Sequence, residues 1–120
     1  MAKRTGPTNP HLIELISELK ELSRKQNVNL WSRIAEELEK PTRQRRNVNI
    51  YRIDKYTKDD ETALVPGKVL SIGQLNKKIK VAAFQFSEQA KEKINSTGKA
   101  ITIKELIKEN PQGRNVRIIG

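Results

Sequence analysis

The chain has 120 residues, of which 35% are hydrophobic, and a formal net charge of +10. This length predicts a single domain with a modest core. The absence of cysteine excludes disulfides and cysteine-based zinc sites, and no apolar run approaches the ~20 residues that span a membrane. The first residues lack the apolar segment of a signal peptide, so a cytoplasmic protein is expected.

The first half begins with a predicted helical hairpin over residues 9–40. Asn9 suits an N-cap and Pro10 the first helical position, and a stripe of leucine and isoleucine follows at helical spacing. A second apolar stripe starts after a three-residue interruption and ends before Pro41. Residues 12–40 carry five basic and six acidic side chains. The hairpin is therefore predicted to be a scaffold rather than the surface that binds a polyanion.

A basic segment follows the hairpin. Residues 41–58 carry six basic side chains against one acid. The apolar residues between positions 48 and 53 fit a strand or a helix, and their spacing does not separate the two. Residues 59–61 are Asp-Asp-Glu, which fits a solvated acidic turn better than a cation site.

Two strands, Lys68–Ile72 and Ile79–Phe84, are predicted next, and alternation along the second places Ile79, Val81 and Ala83 on one face and Lys80, Ala82 and Phe84 on the other. The link between them, residues 73–78, begins with glycine and carries amides and two lysines. From Pro66 to Phe86 there are four lysines and no acid. The pattern predicts a strand-loop-strand with cations at its tip, which suits contact with phosphates better than bond chemistry.

In the last third of the chain, short helices and strands are predicted to alternate. A helix is predicted between Ser87, which is a suitable N-cap, and Gly98, which is suitable for the C′ position. Thr102 and Glu105 have the spacing of a capping box for a further helix, and residues 116–119 alternate as a final strand. The expected fold is α/β, with an N-terminal helical hairpin followed by irregular strand-strand-helix turns in one domain, 1–120. Residues 1–8 are expected to be a flexible basic arm and residues 41–120 an α/β core with basic loops.

No set of residues in the sequence suits catalysis. His11 is the single histidine, and the glycines match neither a P-loop nor a dinucleotide-binding fingerprint. The clustered glutamates at positions 36–39 fit a solvated helix surface. The chain is therefore predicted to be a non-enzyme with no cofactor, no metal site and no small-molecule substrate.

The charge predicts a nucleic-acid partner rather than a membrane. The excess cations lie in the arm and the loops, whereas a DNA reader more often concentrates them on one recognition helix. This distribution favours folded RNA that is recognised by shape and phosphate position. The candidate RNA-binding residues are Lys3, Arg4, Arg43, Gln44, Arg45, Arg46, Asn47, Arg52, Lys55, Lys68, Gln74, Asn76, Lys77, Lys78, Lys80, Arg114 and Arg117.

Several segments together resemble one protein family over nearly the whole chain. They resemble the archaeal and eukaryotic large-subunit ribosomal protein family called eighteen-e, which is related to the bacterial-type fifteen proteins. The segments that carry the resemblance are Asn9-Pro10, the helix of Trp31, Arg43 to Val48, Val65 to Leu70, Gly73 to Leu75, Val81 to Phe84, Phe86 to Ala90 and Asn110 to Gly113.

The resemblance implies a structural component of the large ribosomal subunit. Its partners would be large-subunit ribosomal RNA and neighbouring ribosomal proteins, and the protein itself would not be a catalyst. The residues alone leave an alternative open, which is a free-standing RNA- or DNA-binding chaperone or nucleoid protein.

Overall fold

The computed structural model describes residues 10–39 and 47–119. The predicted α/β class, with a helical hairpin ahead of strand-strand-helix turns, is confirmed. In chain order the described elements are α1 (Pro10–Gln26), α2 (Asn29–Glu39), β1 (Asn47–Asn49), α3 (Ile50–Tyr56), β2 (Thr62–Leu70), β3 (Lys80–Phe86), α4 (Glu88–Thr97), β4 (Lys99–Thr102), α5 (Ile103–Glu109) and β5 (Val116–Ile118).

The hairpin of α1 and α2 packs along the two apolar stripes that the spacing predicts. Asn27 makes the tight turn between the helices with a φ of 55°, a conformation that asparagine tolerates better than most residues. The Trp31 indole is fully buried and its Nε1 donates a hydrogen bond to the Pro111 carbonyl at 2.7 Å. The hairpin is thereby fixed to the loop that follows α5. The buried stripe residues are Leu12, Leu15, Ile16 and Leu19 on α1, and Trp31, Ile34, Ala35 and Leu38 on α2.

All the strand pairs described are parallel. The sheet runs in the order β1-β2-β3-β4, and β5 also pairs with β2. β5 and β1 share one edge of β2, because β5 pairs with residues 62–64 of β2 and β1 pairs with residues 68–70. β2 is thus the strand on which the sheet is assembled.

The parallel pairing of β2 and β3 corrects the predicted shape of their connection. Ala63 pairs with Val81, so residues 71–79 return along the length of β2 before β3 begins. These residues are a return connection and not the tip of a hairpin. The spacing of apolar residues shows that a segment is a strand, but it contains no information on the direction in which two strands pair.

Alternation along β3 separates two apolar cores, as the sequence predicts. Val81 and Ala83 face α3 and α4, whereas Ala82 and Phe84 face α1, α2 and α5. The sheet therefore lies between two helical layers, and its central strands are buried on both faces, as is usual for parallel sheets.

The ambiguous segment at residues 48–53 contains both kinds of structure. Val48 pairs with Val69 in β1, and the helix α3 starts immediately afterwards. Ile50 and Ile53 are one helical turn apart and are both fully buried. β2 also starts six residues earlier than the predicted Lys68, because its first part is a continuous buried run with no polar alternation.

The predicted helix caps are present, and one glycine differs from expectation. The Ser87 hydroxyl accepts a hydrogen bond from the Ala90 N–H, and Thr102 and Glu105 form the reciprocal capping box. Gly98 has a φ of −123° and so does not adopt the left-handed conformation of a C′ glycine. Its backbone lies against the Ile79 carbonyl, where a β-carbon would collide. Close packing therefore explains the glycine.

An ion pair joins the residue before β2 to β5. The Arg117 guanidinium donates from Nε and Nη2 to the two carboxylate oxygens of Glu61, at 2.9 and 3.0 Å. The Lys58 backbone N–H also donates to this carboxylate, at 2.8 Å. The hydrogen bonds from Arg117 and Lys58 lower the pKa of Glu61 from 4.5 to about 2. The pair favours the ionised carboxylate in the folded chain.

We expect Glu61→Gln to lower the melting temperature at neutral pH, with a difference that shrinks in acid. A lowered folded-state pKa stabilises the fold above pH 4.5, and this stabilisation is lost as the pH falls toward about 2. Melting curves of both proteins across this range test the effect. Asp60→Asn is the control, since Asp60 has no ion pair within the described residues. A difference from wild type that stays constant with pH would contradict the role of the carboxylate.

Candidate nucleic-acid interface

The candidate RNA-binding residues divide into those that the structure describes and those that it does not. Lys3, Arg4, Arg43, Gln44, Arg45 and Arg46 lie outside the described residues. The remaining candidates lie in β1, in α3, in β2 and its return connection, at the first residue of β3, and in β5 and the loop that leads into it.

The return connection, residues 71–79, is held by both α3 and α4. The Ile72 carbonyl accepts a hydrogen bond from the Tyr51 N–H at 3.1 Å. From α4, the Lys93 ammonium donates to the carbonyls of Ser71 and Gly73 at 2.7 and 3.1 Å. Gly73 has a φ of 101° and a β-carbon there would lie 2.6 Å from that of Tyr51, so only glycine fits. The connection is thus a fixed part of the fold.

Two of the predicted RNA contacts, Asn76 and Lys77, bind the protein itself. The Asn76 backbone N–H donates to the Asp54 carboxylate at 2.8 Å. The Lys77 ammonium donates to the carbonyls of Asp54 and Thr57 at 2.5 and 2.6 Å. These carbonyls belong to the last turn of α3 and its C-cap, where a cation is favourable. Within the same connection, Gln74 and Lys78 are exposed.

Lys80 and Arg117 also have intramolecular partners. The Lys80 ammonium lies 2.6 Å from the Glu109 carboxylate, and both side chains are almost half exposed. Such an exposed pair contributes at most about 1 kcal/mol and can exchange for a phosphate. Arg117 is held more firmly by the two-point contact with Glu61 described above.

The loop before β5 displays an exposed guanidinium on a fixed backbone. The Asn110 side chain accepts from the Arg114 N–H at 3.2 Å and donates to the Arg114 carbonyl at 2.8 Å. Gly113 has a φ of 66°, and a β-carbon there would lie 2.8 Å from the Leu30 side chain. The Arg114 side chain remains exposed.

A cleft opens where β1, β2 and β3 reach their carboxyl ends. Its volume is about 660 Å³, and Asn49, Lys68, Ile72, Phe86 and Gln89 are among its lining residues. This is the edge at which open parallel sheets commonly bind ligands. Asn47 pairs with Lys68 in the register of β1 and β2, and both are exposed. The cleft offers one cation, Lys68, and one carboxylate, Glu88, beside apolar, hydroxyl and amide side chains.

The structure adds two residues that the sequence analysis missed. Tyr51 and Tyr56 are 51% and 49% exposed on the outer face of α3. Arg52 and Lys55 share that face, with the Arg52 guanidinium carbon 5.7 Å and the Lys55 Nζ 5.3 Å from the centre of the Tyr56 ring. Helical spacing would have placed all four on one face, had the segment been predicted as a helix.

Neither a group of metal-ligating side chains nor a membrane-spanning helix occurs among the described residues. Among them, no three His, Cys, Asp or Glu side chains are grouped so as to hold a metal ion. Within the same residues, no helix is both long and apolar enough to cross a bilayer. The features on which a functional proposal can rest are the exposed cations, the cleft and the face of α3 that carries the two tyrosines.

We expect Lys77→Ala to destabilise the protein by about 1 kcal/mol, because the change removes charge-assisted hydrogen bonds to two backbone carbonyls at a half-buried position. Lys78→Ala is the matched control: it removes the same charge from the adjacent exposed residue and should leave the free energy of unfolding nearly unchanged. Urea titrations of both variants test the difference. Equal stability of the two would contradict a structural role for Lys77.

Comparison with known proteins connects this architecture to one family. The sequence model of the family described as ribosomal protein 60S L18 and 50S L18e matches residues 2–120. The large ribosomal subunit protein eL18 of Sulfurisphaera tokodaii is 48% identical over 120 residues, which cover 99% of this chain and 98% of that protein. The eL18 protein of Haloarcula marismortui is 46% identical over 112 residues, or 93% of this chain and 97% of that protein. Because these matches extend over nearly the full length of the chain and its relatives, the chain belongs to the L18 and L18e family of ribosomal proteins.

Proposed function

We propose that this chain is a structural component of the large ribosomal subunit that binds and organises folded ribosomal RNA. Membership of the family over residues 2–120 carries the proposal, since its relatives are named as large ribosomal subunit proteins. The role is architectural, and the chain itself performs no catalytic step. We also propose that this family is related to the bacterial-type fifteen proteins, as the resemblance to the eighteen-e family implies.

The exposed cations support an RNA-binding role. Within the described residues, five exposed basic side chains of the candidate set have no acidic partner. They lie on α3, on β2, in the return connection and in the loop before β5, so they can reach several RNA segments. These five are Arg52, Lys55, Lys68, Lys78 and Arg114.

The intramolecular contacts explain how these cations are positioned. Asp54 and Lys77 fix the return connection against α3, and Glu61 and Arg117 fix β5 beside β2. The free cations on those elements are then presented in a fixed arrangement, which RNA recognition by phosphate position requires. We propose that Lys77 and Arg117 act chiefly on the protein's own structure, whereas the exposed cations neutralise RNA phosphates.

The proposed partners are large-subunit ribosomal RNA and adjoining ribosomal proteins, and the proposed location is the cytoplasmic ribosome. The alternative, a free-standing RNA or DNA chaperone or nucleoid protein, is not favoured, because the full-length relatives carry the name of a subunit component. The two roles differ in how the protein is distributed between ribosomes and free nucleic acid.

Sedimentation of the tagged chain in a cell lysate at two salt concentrations tests this proposal. We expect co-migration with large ribosomal subunits that persists at moderate salt, because many simultaneous contacts hold an embedded component. Migration with light fractions, together with equal affinity for duplex DNA and folded ribosomal RNA, would contradict the proposal and support the alternative.

We expect the combined substitution of Arg43, Arg45 and Arg46 by Ala to weaken binding to ribosomal RNA without unfolding the chain. Each lost phosphate contact should reduce the slope of log affinity against log salt by about 0.7 to 0.9. The matched control replaces Arg24, Lys25 and Arg33 of the hairpin, which removes the same charge from a nearly neutral region. Filter binding at several salt concentrations, with circular dichroism of each variant, gives the comparison. Equal losses in the two triple variants would show that total charge matters and not these arginines.

A further inference from the structure

The outer face of α3 exposes both tyrosines of the chain. Tyr51 and Tyr56 leave half of their surface in contact with solvent, although the chain contains few aromatic residues with which to build a core. Large exposed apolar groups that share one face indicate a site of interaction more often than chance exposure does. The face formed by Tyr51, Arg52, Lys55 and Tyr56 is called the tyrosine face below.

The tyrosine face is held rigidly by the rest of the fold. Ile50 and Ile53, on the opposite side of α3, are fully buried beneath the sheet. The return connection is hydrogen-bonded to both ends of α3. Tyr51, in the first turn of the helix, donates to the connection, and Lys77 of the connection donates to carbonyls in the last turn of the helix and at its C-cap. Because the helix is fixed, its exposed rings lose little freedom when they bind a partner.

The charge of the tyrosine face defines the chemistry of that partner. Arg52 and Lys55 approach the Tyr56 ring and have no acidic partner within the described residues. The single acid of α3, Asp54, is occupied by Asn76 of the return connection. Aromatic rings beside uncompensated cations match a partner that combines flat apolar rings with negative charge, as unpaired nucleotides do.

We propose that the tyrosine face stacks on unpaired bases of ribosomal RNA, an inference that rests on the proposed function and names the class of RNA bound at this place. The tyrosine rings contact base faces, and Arg52 and Lys55 contact the flanking phosphates. A regular duplex conceals its base faces within the helical stack, so it offers the rings no equivalent contact.

The surface next to the tyrosine face suggests where the bound strand continues. Ile72 is 64% exposed, and its carbonyl is hydrogen-bonded to Tyr51. The same residue lines the cleft at the carboxyl edge of the sheet, beside Lys68 and Phe86. An unpaired strand that leaves Tyr51 along Ile72 therefore reaches a further cation and a further aromatic side chain, in a cleft that the Glu88 carboxylate also lines.

The test uses the full chain and a short single-stranded RNA that carries 2-aminopurine, with a blunt RNA duplex of the same sequence for comparison. Stacking on an aromatic ring quenches 2-aminopurine fluorescence. We expect Tyr51→Leu and Tyr56→Leu each to reduce single-strand affinity by about 5- to 150-fold, the range measured for loss of one stacked base, and to reduce the quenching. Tyr51→Phe and Tyr56→Phe should retain most of the single-strand affinity and most of the quenching. Duplex affinity and the salt dependence of binding should not change in any of them.

Ile13→Ala is the matched control. Ile13 is 50% exposed, like the tyrosines, but lies on α1 in the nearly charge-balanced hairpin. Its replacement should leave single-strand affinity and quenching unchanged. Melting curves of all variants establish that each is folded, which the exposed positions favour.

Three results would overturn the inference. They are quenching and affinity unchanged in the leucine variants, equal losses in the leucine and phenylalanine variants, or equal losses for single-stranded and duplex RNA. If the leucine variants bound the RNA normally but no longer co-sedimented with large subunits, the face would instead dock a neighbouring protein. Failure of the wild-type chain to co-sediment with large subunits would count against the proposed function, whereas the fluorescence result tests stacking separately.

Discussion

The parallel pairing of β2 with β3 is the constraint on which the rest of this structure depends. β2 is buried along most of its length and pairs with β3 on one edge and with β5 and β1 on the other. A parallel pair forces the chain to return along the full strand, and this return creates the connection of residues 71–79. The connection then packs against α3 and α4, and the exposed face of α3 carries Arg52, Lys55 and both tyrosines.

Two acidic side chains that follow the hairpin, those of Asp54 and Glu61, bind structural groups near them. Asp54 accepts from Asn76, and Glu61 accepts from Arg117 and the Lys58 backbone. A compact chain with a net charge of +10 repels itself, so each local pairing offsets part of that repulsion. The cations without partners remain available, and a polyanion such as ribosomal RNA can neutralise them.

A basic residue in a loop can therefore have either of two roles, which the chain sequence does not distinguish. Lys77 and Lys78 are adjacent, yet the Lys77 ammonium binds two backbone carbonyls while Lys78 is exposed. The difference comes from which side chain points toward the end of α3. Similarly, Arg114 lies two residues before β5 and Arg117 lies within it, but Glu61 pairs with Arg117 and not with Arg114.

The sequence alone is enough to predict the fold class, the helical hairpin, the two faces of β3 and the caps at Ser87 and Thr102. Each of these depends on residues close together in the chain, where helical or strand spacing and capping chemistry act directly. The family resemblance also followed from the residues alone, and the full-length match confirms it.

Tertiary structure decided the direction of strand pairing, the helix at residues 50–56 and the partners of individual cations. These depend on contacts between segments far apart in sequence, such as Asp54 with Asn76 and Glu61 with Arg117. The tyrosine face was missed for the same reason: a segment whose spacing fits a strand or a helix becomes a helix here because Ile50 and Ile53 are buried against the sheet. Local patterns specify what a segment can form, and burial against distant strands selects what it does form, because apolar contact with the core outweighs the small differences in local propensity.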